Sequence, residues 1–447
     1  MNEIRRSMMW VALSEGLDRA PNKSAGLTTA YPAPSYPSSI LVSKPSSRNI
    51  IMAAIKPFEI AIPDADLTQL KQRLELTRFP EGEIEEAGWD YGAPLKDVKD
   101  LTEYWLSRFD WRAAERRLNE IPQFKTSIQI VGFDAIDLHF VHQKSDAEGA
   151  IPLLFLHGWP GSFIEVAKLL PLLKGEDGKQ AFHVVAPSLP NYGFSGRVTK
   201  KGFGLGQYAE AANNLMLALG YDQYVTQGGD WGSIITRVIG ARFPQHNKAS
   251  LLNMIVGTEP KWTAENPKPE YTARELQTLE EAGAWQKEGN GYFAIQSTKP
   301  STLAFSLADS PTGLLAWIYE KLVGWTDAYP WTPDEILTWV SIYYHSTAGP
   351  GASIYTYYEV THDAEYNLES VTRYVDLPLG VADFPKEIAN APSSWRKGLG
   401  PIVEERVFEK GGHFAAWERP GDLAETIEAM FGRGGKAEGV VERSGGK

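Results

Sequence analysis

The chain contains no cysteine in 447 residues. That removes disulfides, thiolate metal ligands and cysteine nucleophiles together, and gives no sign of an oxidising compartment. Histidine is scarce, at eight residues, so a catalytic imidazole has few sources. Positive charge is in deficit: 44 Lys and Arg against 56 Asp and Glu leave a net charge of −12. A basic footprint for DNA or RNA is excluded on that ground. No apolar run approaches the roughly 20 residues that span a bilayer as a helix, so no membrane anchor is written here and the expected location is cytoplasmic or otherwise soluble.

Acidic residues are missing from one stretch altogether. Between Arg19 and Phe58 there is none, and "TTAYPAPSYPSSILVSKPSSR" is rich in Ser, Pro and Ala. Residues 1–52 read as a disordered leader. A basic, acid-poor transit peptide is the alternative, which leaves organelle targeting open; a working start at Met52 is a third.

What remains is ordinary globular composition, 43% apolar and 22% charged, with a sizeable core. In "PDADLTQLKQRLELTRFP", Leu67, Leu70 and Leu74 recur at helical spacing. "KDVKDLTEYWLSRFDWRAAERRLNEIPQF" is a second helical region, and "SIQIVGFDAIDLHFVHQ" alternates as a strand or hairpin. Short apolar runs then alternate with helices. "IPLLFL", "AFHVVAP", "YDQYVTQ" and "ASLLNMIV" have the pattern of strands buried on both faces of a parallel sheet. From about Gly257 to Ser370 the segments are helical with no buried strand, which reads as an inserted helical cap. Strand rhythm resumes in "VDLPLGVADFP" and "PIVEERVFEKGGHF". "PGDLAETIEAMFG" is a last, Gly-capped helix, before a Gly-rich tail that reads as loose. The expected division is 53–150, an N-terminal region; 151–257 and 371–433, the two parts of the core; 258–370, the cap; and 434–447, the tail.

Three features carry chemistry. Gly228-Gly229-Asp230-Trp231-Gly232-Ser233 has the form of a nucleophile elbow, a strained strand-to-helix turn bearing a reactive side chain. Asp230 occupies the reactive slot. A helix N-cap aspartate is the bland reading, but it does not account for the surrounding glycines. "LHGWPGS" follows the first buried strand. Beyond a simple Gly/Pro turn, it can aim the Trp159 N–H into the site, paired with the N–H of Trp231, as an oxyanion hole; Pro160 sets that turn. "EKGGHFAAWERP" places His413 at a strand end. His139, His142, His157, His183, His246, His345 and His362 have weaker contexts. The order Asp230, acid, His413 matches the nucleophile–acid–histidine order of α/β-hydrolases. "ADFPKEIA" offers two acids, Glu387 or Asp383.

With "HGWPGS", "GGDWGS", "GYFAIQSTKPSTLAFSLADSPTGLLAWIYEK", "FPKE", "GGHFAAWERP" and the N-terminal "FDWRAAERRLNEIPQF" in this order, the chain resembles the epoxide hydrolases of the microsomal and fungal type, from Lys56 to Gly432. The resemblance implies an α/β-hydrolase fold with a mostly parallel sheet, a helical cap, and an N-terminal region that wraps core and cap. It implies Asp230 as nucleophile, His413 as base and Glu387, rather than Asp383, as its charge partner. It implies Tyr292 and Tyr357 as cap tyrosines on the epoxide oxygen, although Tyr355 and Tyr358 crowd the same stretch. No cofactor and no metal are implied; the partners are a small epoxide and water, and a homodimer is left open. The leader lacks the anchor of microsomal members, so the soluble fungal type is the nearer pattern.

Aspartate suits this chemistry. An epoxide has no carbonyl, so its opening is a displacement at carbon. A carboxylate is a ready nucleophile at neutral pH without a base. Its product is an ester, which base-activated water can cleave; a serine would leave a stable ether. Two other readings compete. A haloalkane dehalogenase also uses an elbow aspartate, but needs halide-binding N–H groups and lacks the N-terminal region. An inactive ligand-binding relative should have lost part of the triad, and none is missing. Trp317, Trp325, Trp331 and Trp339 point to a bulky or apolar substrate without naming it.

Overall fold

A computed structural model describes residues 54–442. The readings of residues 1–52 lie outside the described residues. Within them, the apolar runs form the expected strands. The strands are β1 (Lys56–Pro57), β2 (Gln123–Ile128), β3 (Ile136–Gln143), β4 (Ile151–Leu156), β5 (Phe182–Pro187), β6 (Tyr224–Gly228), β7 (Asn247–Leu252), β8 (Leu379–Asp383) and β9 (Ile402–Val407). They make one nine-stranded sheet in the order β1-β2-β3-β5-β4-β6-β7-β8-β9. β1, β2, β3 and β5 pair antiparallel; from β5 through β4, β6, β7, β8 to β9 every pairing is parallel. Leu153, Leu154 and Leu156 of β4, with Val184 and Val185 of β5, are fully buried, because helices cover both faces of a parallel sheet.

The sheet order β5-β4-β6 means that the strand order reverses beside β4. Sites in such sheets gather at carboxyl ends near this reversal. The loop after β4 holds Trp159, and the turn after β6 holds Asp230.

Between β7 and β8 the described residues form helices and no strand. Those that bear on the site are Gly291–Thr298, Pro311–Gly324, Pro333–Tyr344 and Tyr355–Thr361. The helix Pro333–Tyr344 starts with a capping box, in which the Thr332 hydroxyl accepts from the Glu335 N–H and Glu335 returns to the Thr332 N–H. The N-terminal helical stretch is two helices, Leu95–Ser107 and Trp111–Leu118, the second N-capped by Asp110. Gln123 and Phe124, read from sequence with that helix, instead open β2. This region is tied to the cap helices: Arg73 donates to the Asp309 carbonyl (2.6 Å), Tyr319 to Asp97 (3.3 Å), and the Thr77 and Thr312 hydroxyls pair at 3.0 Å.

Gly432 caps the helix Pro420–Phe431 as expected, in an extended conformation, φ −74° and ψ −174°. One expectation is corrected at the C-terminus: the tail is not loose as far as it is described. The Ala437 N–H donates to the Met430 carbonyl (2.7 Å), Ala437 is buried, and the Glu442 N–H reaches the Gln223 side chain at 2.8 Å. The apolar contacts of Val440 and Val441 with the core outweigh the glycines around them.

Candidate active site

Asp230 is the first residue of the helix Asp230–Arg242, and its φ is +47°. A left-handed backbone at a non-glycine residue is strained. The turn is possible because Gly228 and Gly232 pass where side chains could not. A Cβ on Gly228 would lie 2.5 Å from the Gly232 carbonyl, and one on Gly232 would overlap the Leu156 backbone of β4. The strain projects the carboxylate out over the ends of the strands, and the side chain keeps 14% exposure.

Both carboxylate oxygens are held. The Trp159 N–H donates to Asp230 Oδ1 at 2.7 Å. Trp231 sits in the first helical turn, where an N–H has no intrahelical acceptor, on the same side of the elbow. His413 Nε2 lies 3.4 Å from Oδ2, and its Nδ1–H donates to Glu387 Oε1 at 2.7 Å. His413 follows Gly411, at φ +108°, and Gly412, where a Cβ would stand 2.5 Å from the Trp325 carbonyl. The His413 N–H donates to that same carbonyl at 2.9 Å, so this cap residue positions the loop.

Of the two acids in "ADFPKE", Glu387 reaches His413. Asp383 is spent elsewhere: it pairs with Arg396, accepts from Arg274 (3.2 Å) and from Asn390 (2.6 Å). The other histidines do not bond Asp230. His139 is fully buried between Ser188 and Gln123, and burial holds it well below its ordinary range. His157 accepts from the Leu189 N–H, and burial lowers it to about 4.

Tyr292 and Tyr357 reach the site from two cap helices, Gly291–Thr298 and Tyr355–Thr361. Tyr292 stacks on Trp159 at 5.3 Å, Tyr357 meets Trp231 edge-on at 4.8 Å, and the two rings are 5.9 Å apart. Burial, followed by the charge of Asp230 for Tyr292 and by neighbouring Tyr292 and Asp230 for Tyr357, pushes both phenols well above their usual range. Tyr355 turns away to Ser301 (3.1 Å), and Tyr358 stacks on His362 at 4.0 Å.

Electrostatics divide the site. Burial opposes a charge on His413, but Glu387 and Asp230 outweigh it and hold the imidazole well above its ordinary value. Burial raises Glu387, against the pull of His413.

Sequence reasoning missed several residues. Trp339 donates to the Pro160 carbonyl at 2.5 Å and Tyr343 to the Gly161 carbonyl at 2.6 Å, so the helix Pro333–Tyr344 grips the loop that aims Trp159. Of the four cap tryptophans whose presence pointed to a bulky or apolar substrate, Trp325 lies against the site, 5.0 Å from His413 and 5.1 Å from Tyr292. Trp331 and Trp339 instead pack with Phe414 and Trp417, and Trp317 donates to Gln296. Glu165 was also missed. It is buried beside Gly161, and desolvation is the main cause of its rise to about 8. No local pattern marks these residues: Trp339 and Tyr343 act across a long sequence separation, and Glu165 is set apart only by its burial.

Among the described residues no group of His, Asp and Glu has the arrangement of a metal site, and no helix is long and apolar enough to cross a membrane.

Comparison with known proteins agrees with this geometry. Residues 55–166 match the family "Epoxide hydrolase N terminus", and residues 151–286 match "alpha/beta hydrolase fold". A putative epoxide hydrolase of Stigmatella aurantiaca is 39% identical over 389 residues, covering 84% of each chain. The structure of Aspergillus niger epoxide hydrolase superposes with a TM-score of 0.74 at 36% identity, covering 84% of this chain and 95% of that one. Juvenile hormone epoxide hydrolase from the silkworm Bombyx mori superposes with a TM-score of 0.75 at 32% identity, covering 84% and 93%. An elbow that offers a carboxylate, two cap phenols above it and this N-terminal region occur together here because the chain belongs to the epoxide hydrolase family, on an α/β-hydrolase fold.

Proposed function

We propose that this epoxide hydrolase opens its substrate in two steps through an ester on Asp230. The observation that carries the reading is the placement of that carboxylate, with the Trp159 N–H on one oxygen and His413 on the other. In the first step Asp230 Oδ2 attacks a ring carbon and the carbon–oxygen bond breaks. Tyr292 and Tyr357 hydrogen-bond the departing alkoxide, and one of them gives it a proton. Their high proton affinity keeps them in the acid form throughout the neutral range, which a general acid needs.

In the second step His413 Nε2 takes a proton from water, and the oxygen attacks the Asp230 carboxyl carbon. Negative charge develops on Oδ1, where the Trp159 and Trp231 N–H groups serve as donors. Collapse breaks the ester carbon–oxygen bond, the new carboxyl group gives its proton to the diol oxygen, and Asp230 returns to a carboxylate beside a protonated His413. The electrostatics support this order. Before reaction two anions hold a proton on His413. Esterification removes the charge of Asp230, so the imidazole loses much of what kept it protonated, gives its proton to the tyrosinate left by the first step, and is then free to take one from water. We propose that the substrate is bulky and apolar near the ring, since Trp325, Trp159 and Phe293 surround the tyrosines.

His413→Ala should stop the enzyme halfway. Intact-protein mass spectrometry after epoxide addition should show a gain of one substrate, mapped to the peptide with Asp230, and Asp230→Ala should show none. Single-turnover hydrolysis in heavy-oxygen water should place label in the Asp230 carboxylate first. Label appearing directly in the first-turnover diol would sink the ester mechanism.

A further inference from the structure

A second cavity lies where the cap meets the core, on the side of the helix Tyr355–Thr361 away from the reacting groups. Its volume is about 460 Å³. Its floor is the Tyr208 hydroxyl paired with Thr356 at 2.8 Å, so Thr356 faces this cavity while its neighbour Tyr357 faces Trp231 and Trp159. None of Asp230, His413, Tyr292 and Tyr357 lines it.

The lining is cationic. Arg197, Lys200 and Lys201 come from the core loop after β5, and Lys299 from the cap. Acids outnumber bases in the chain, 56 to 44, so an unplaced cation should readily meet a carboxylate. These four meet none among the described residues. Lys200 donates to the Gly132 carbonyl (2.6 Å), Lys299 to the Thr298 carbonyl (3.2 Å), and Lys201 lies over the Tyr358 ring at 5.9 Å. Glu359 is the one acid in the lining, and its Oε2 accepts from the Gly202 N–H at 2.8 Å. Some cations elsewhere are paired, as Arg396 is with Asp383 and Glu405 and Arg112 with Asp64 and Glu115; what sets these four apart is that they gather around one concavity.

Four like charges around one concavity repel each other and give the space between them a positive potential, which salt screens because all four are exposed. Thr199 and Thr302 line the same cavity, and their hydroxyls can donate to an oxyanion. The Phe203 and Tyr208 rings supply apolar surface below them. We propose that this cavity binds a small organic anion, a carboxylate or phosphate on a short carbon skeleton, at a site separate from the epoxide site. Its concave form, with a volume of about 460 Å³ between core and cap residues, favours a small molecule over a membrane surface, which would need a flat, outward-facing patch.

Calorimetric titration of the full chain tests this with hexanoate, hexyl phosphate and hexanol. Both anions should bind saturably, more weakly as salt rises, and hexanol should not. Lys200→Glu/Lys201→Glu, both exposed positions, should weaken anion binding at least about tenfold, a change of about 1.4 kcal/mol. Epoxide turnover without added anion should stay as in the parent. Arg197→Gln provides a milder variant should the double reversal fail to fold. Equal binding of hexanol, or anion binding unchanged in these variants, would overturn the proposal. So would capture by anionic lipid vesicles with no response to the small anions.

Discussion

At the scale of single residues, the site runs on charges placed out of water. Removing the Tyr292 hydroxyl with Phe, or that of Tyr357, should slow ester formation, and the double change should approach the full loss of general-acid help, roughly 10²–10⁴-fold. Stopped-flow tryptophan fluorescence can follow that first step. Loss from Tyr355→Phe or Tyr358→Phe instead would contradict the roles given to the two buried phenols. The pH profile should report His413. Its neutral form is needed for the second step, so kcat should rise with pH to a plateau. Glu387→Gln takes away an anion that holds the proton, so the acid limb should move to lower pH while the plateau falls through lost orientation. A limb that stays in place would argue against Glu387 as the partner that matters.

Glu165 gives a residue-scale prediction about stability. Burial raises its folded-state value to about 8, against about 4.3 for an unfolded glutamate. Between those values the folded chain holds a proton that the unfolded chain has lost, so stability falls as pH climbs from about 4.3 to 8. Glu165→Gln should flatten that slope, read as the difference in urea midpoint between pH 5 and pH 8. An unchanged difference would mean that the carboxyl is not held neutral.

At the scale of elements, the oxyanion loop is held from outside itself. Trp339 and Tyr343 donate to consecutive carbonyls, those of Pro160 and Gly161. Trp339→Phe keeps an aromatic ring and leaves a buried carbonyl without its donor, a loss of about 1–3 kcal/mol. We expect a lower thermal midpoint and a slower second step, with KM less affected, since the misplaced group is the Trp159 N–H. An unchanged hydrolysis rate of the trapped ester would remove the helix Pro333–Tyr344 from catalysis. These elements also show what the sequence made legible. Asp230 and Trp159 could be found because their turns need glycine and proline at fixed offsets, and His413 because "GGH" follows a strand. The buried strands declared themselves by length and apolarity. Trp339, Tyr343 and Glu165 could not be found, since their partners lie far along the chain or are made by burial alone. Tyr357 stood among three tyrosines within four residues, and only the helix's orientation singles it out. The tail misled for the opposite reason: its glycines spoke for looseness, while the docking of Val440 and Val441 depends on surface presented by distant helices.

At the scale of the whole molecule, the compact unit that includes the site begins at Ala54. A chain starting at Met52 should therefore fold and turn over epoxide like the parent, as measured by melting and diol release; loss of either would give the preceding residues a part in the fold. The grip of the helix Pro333–Tyr344 has a further consequence for traffic. That helix is fastened below to the oxyanion loop and on its flank to the N-terminal helices, where Tyr104 reaches Asp334 and Trp105 packs on Tyr344. It cannot swing without dismantling the donor that the chemistry needs. Among the described residues the two tyrosine helices make no hydrogen bond to the loop and touch it only through rings, Tyr292 and Tyr357 against Trp159; Tyr355–Thr361 is tied to the core by Thr356 and Glu359, and Gly291–Thr298 is the freer of the two. We therefore expect the cap to act less as a lid than as a door frame with one movable leaf, the helix Gly291–Thr298, whose opening would withdraw Tyr292 while leaving the Trp159 N–H in place. Hydrogen exchange should show the leaf opening faster than the frame, and the same ordering should persist with an inert diol bound.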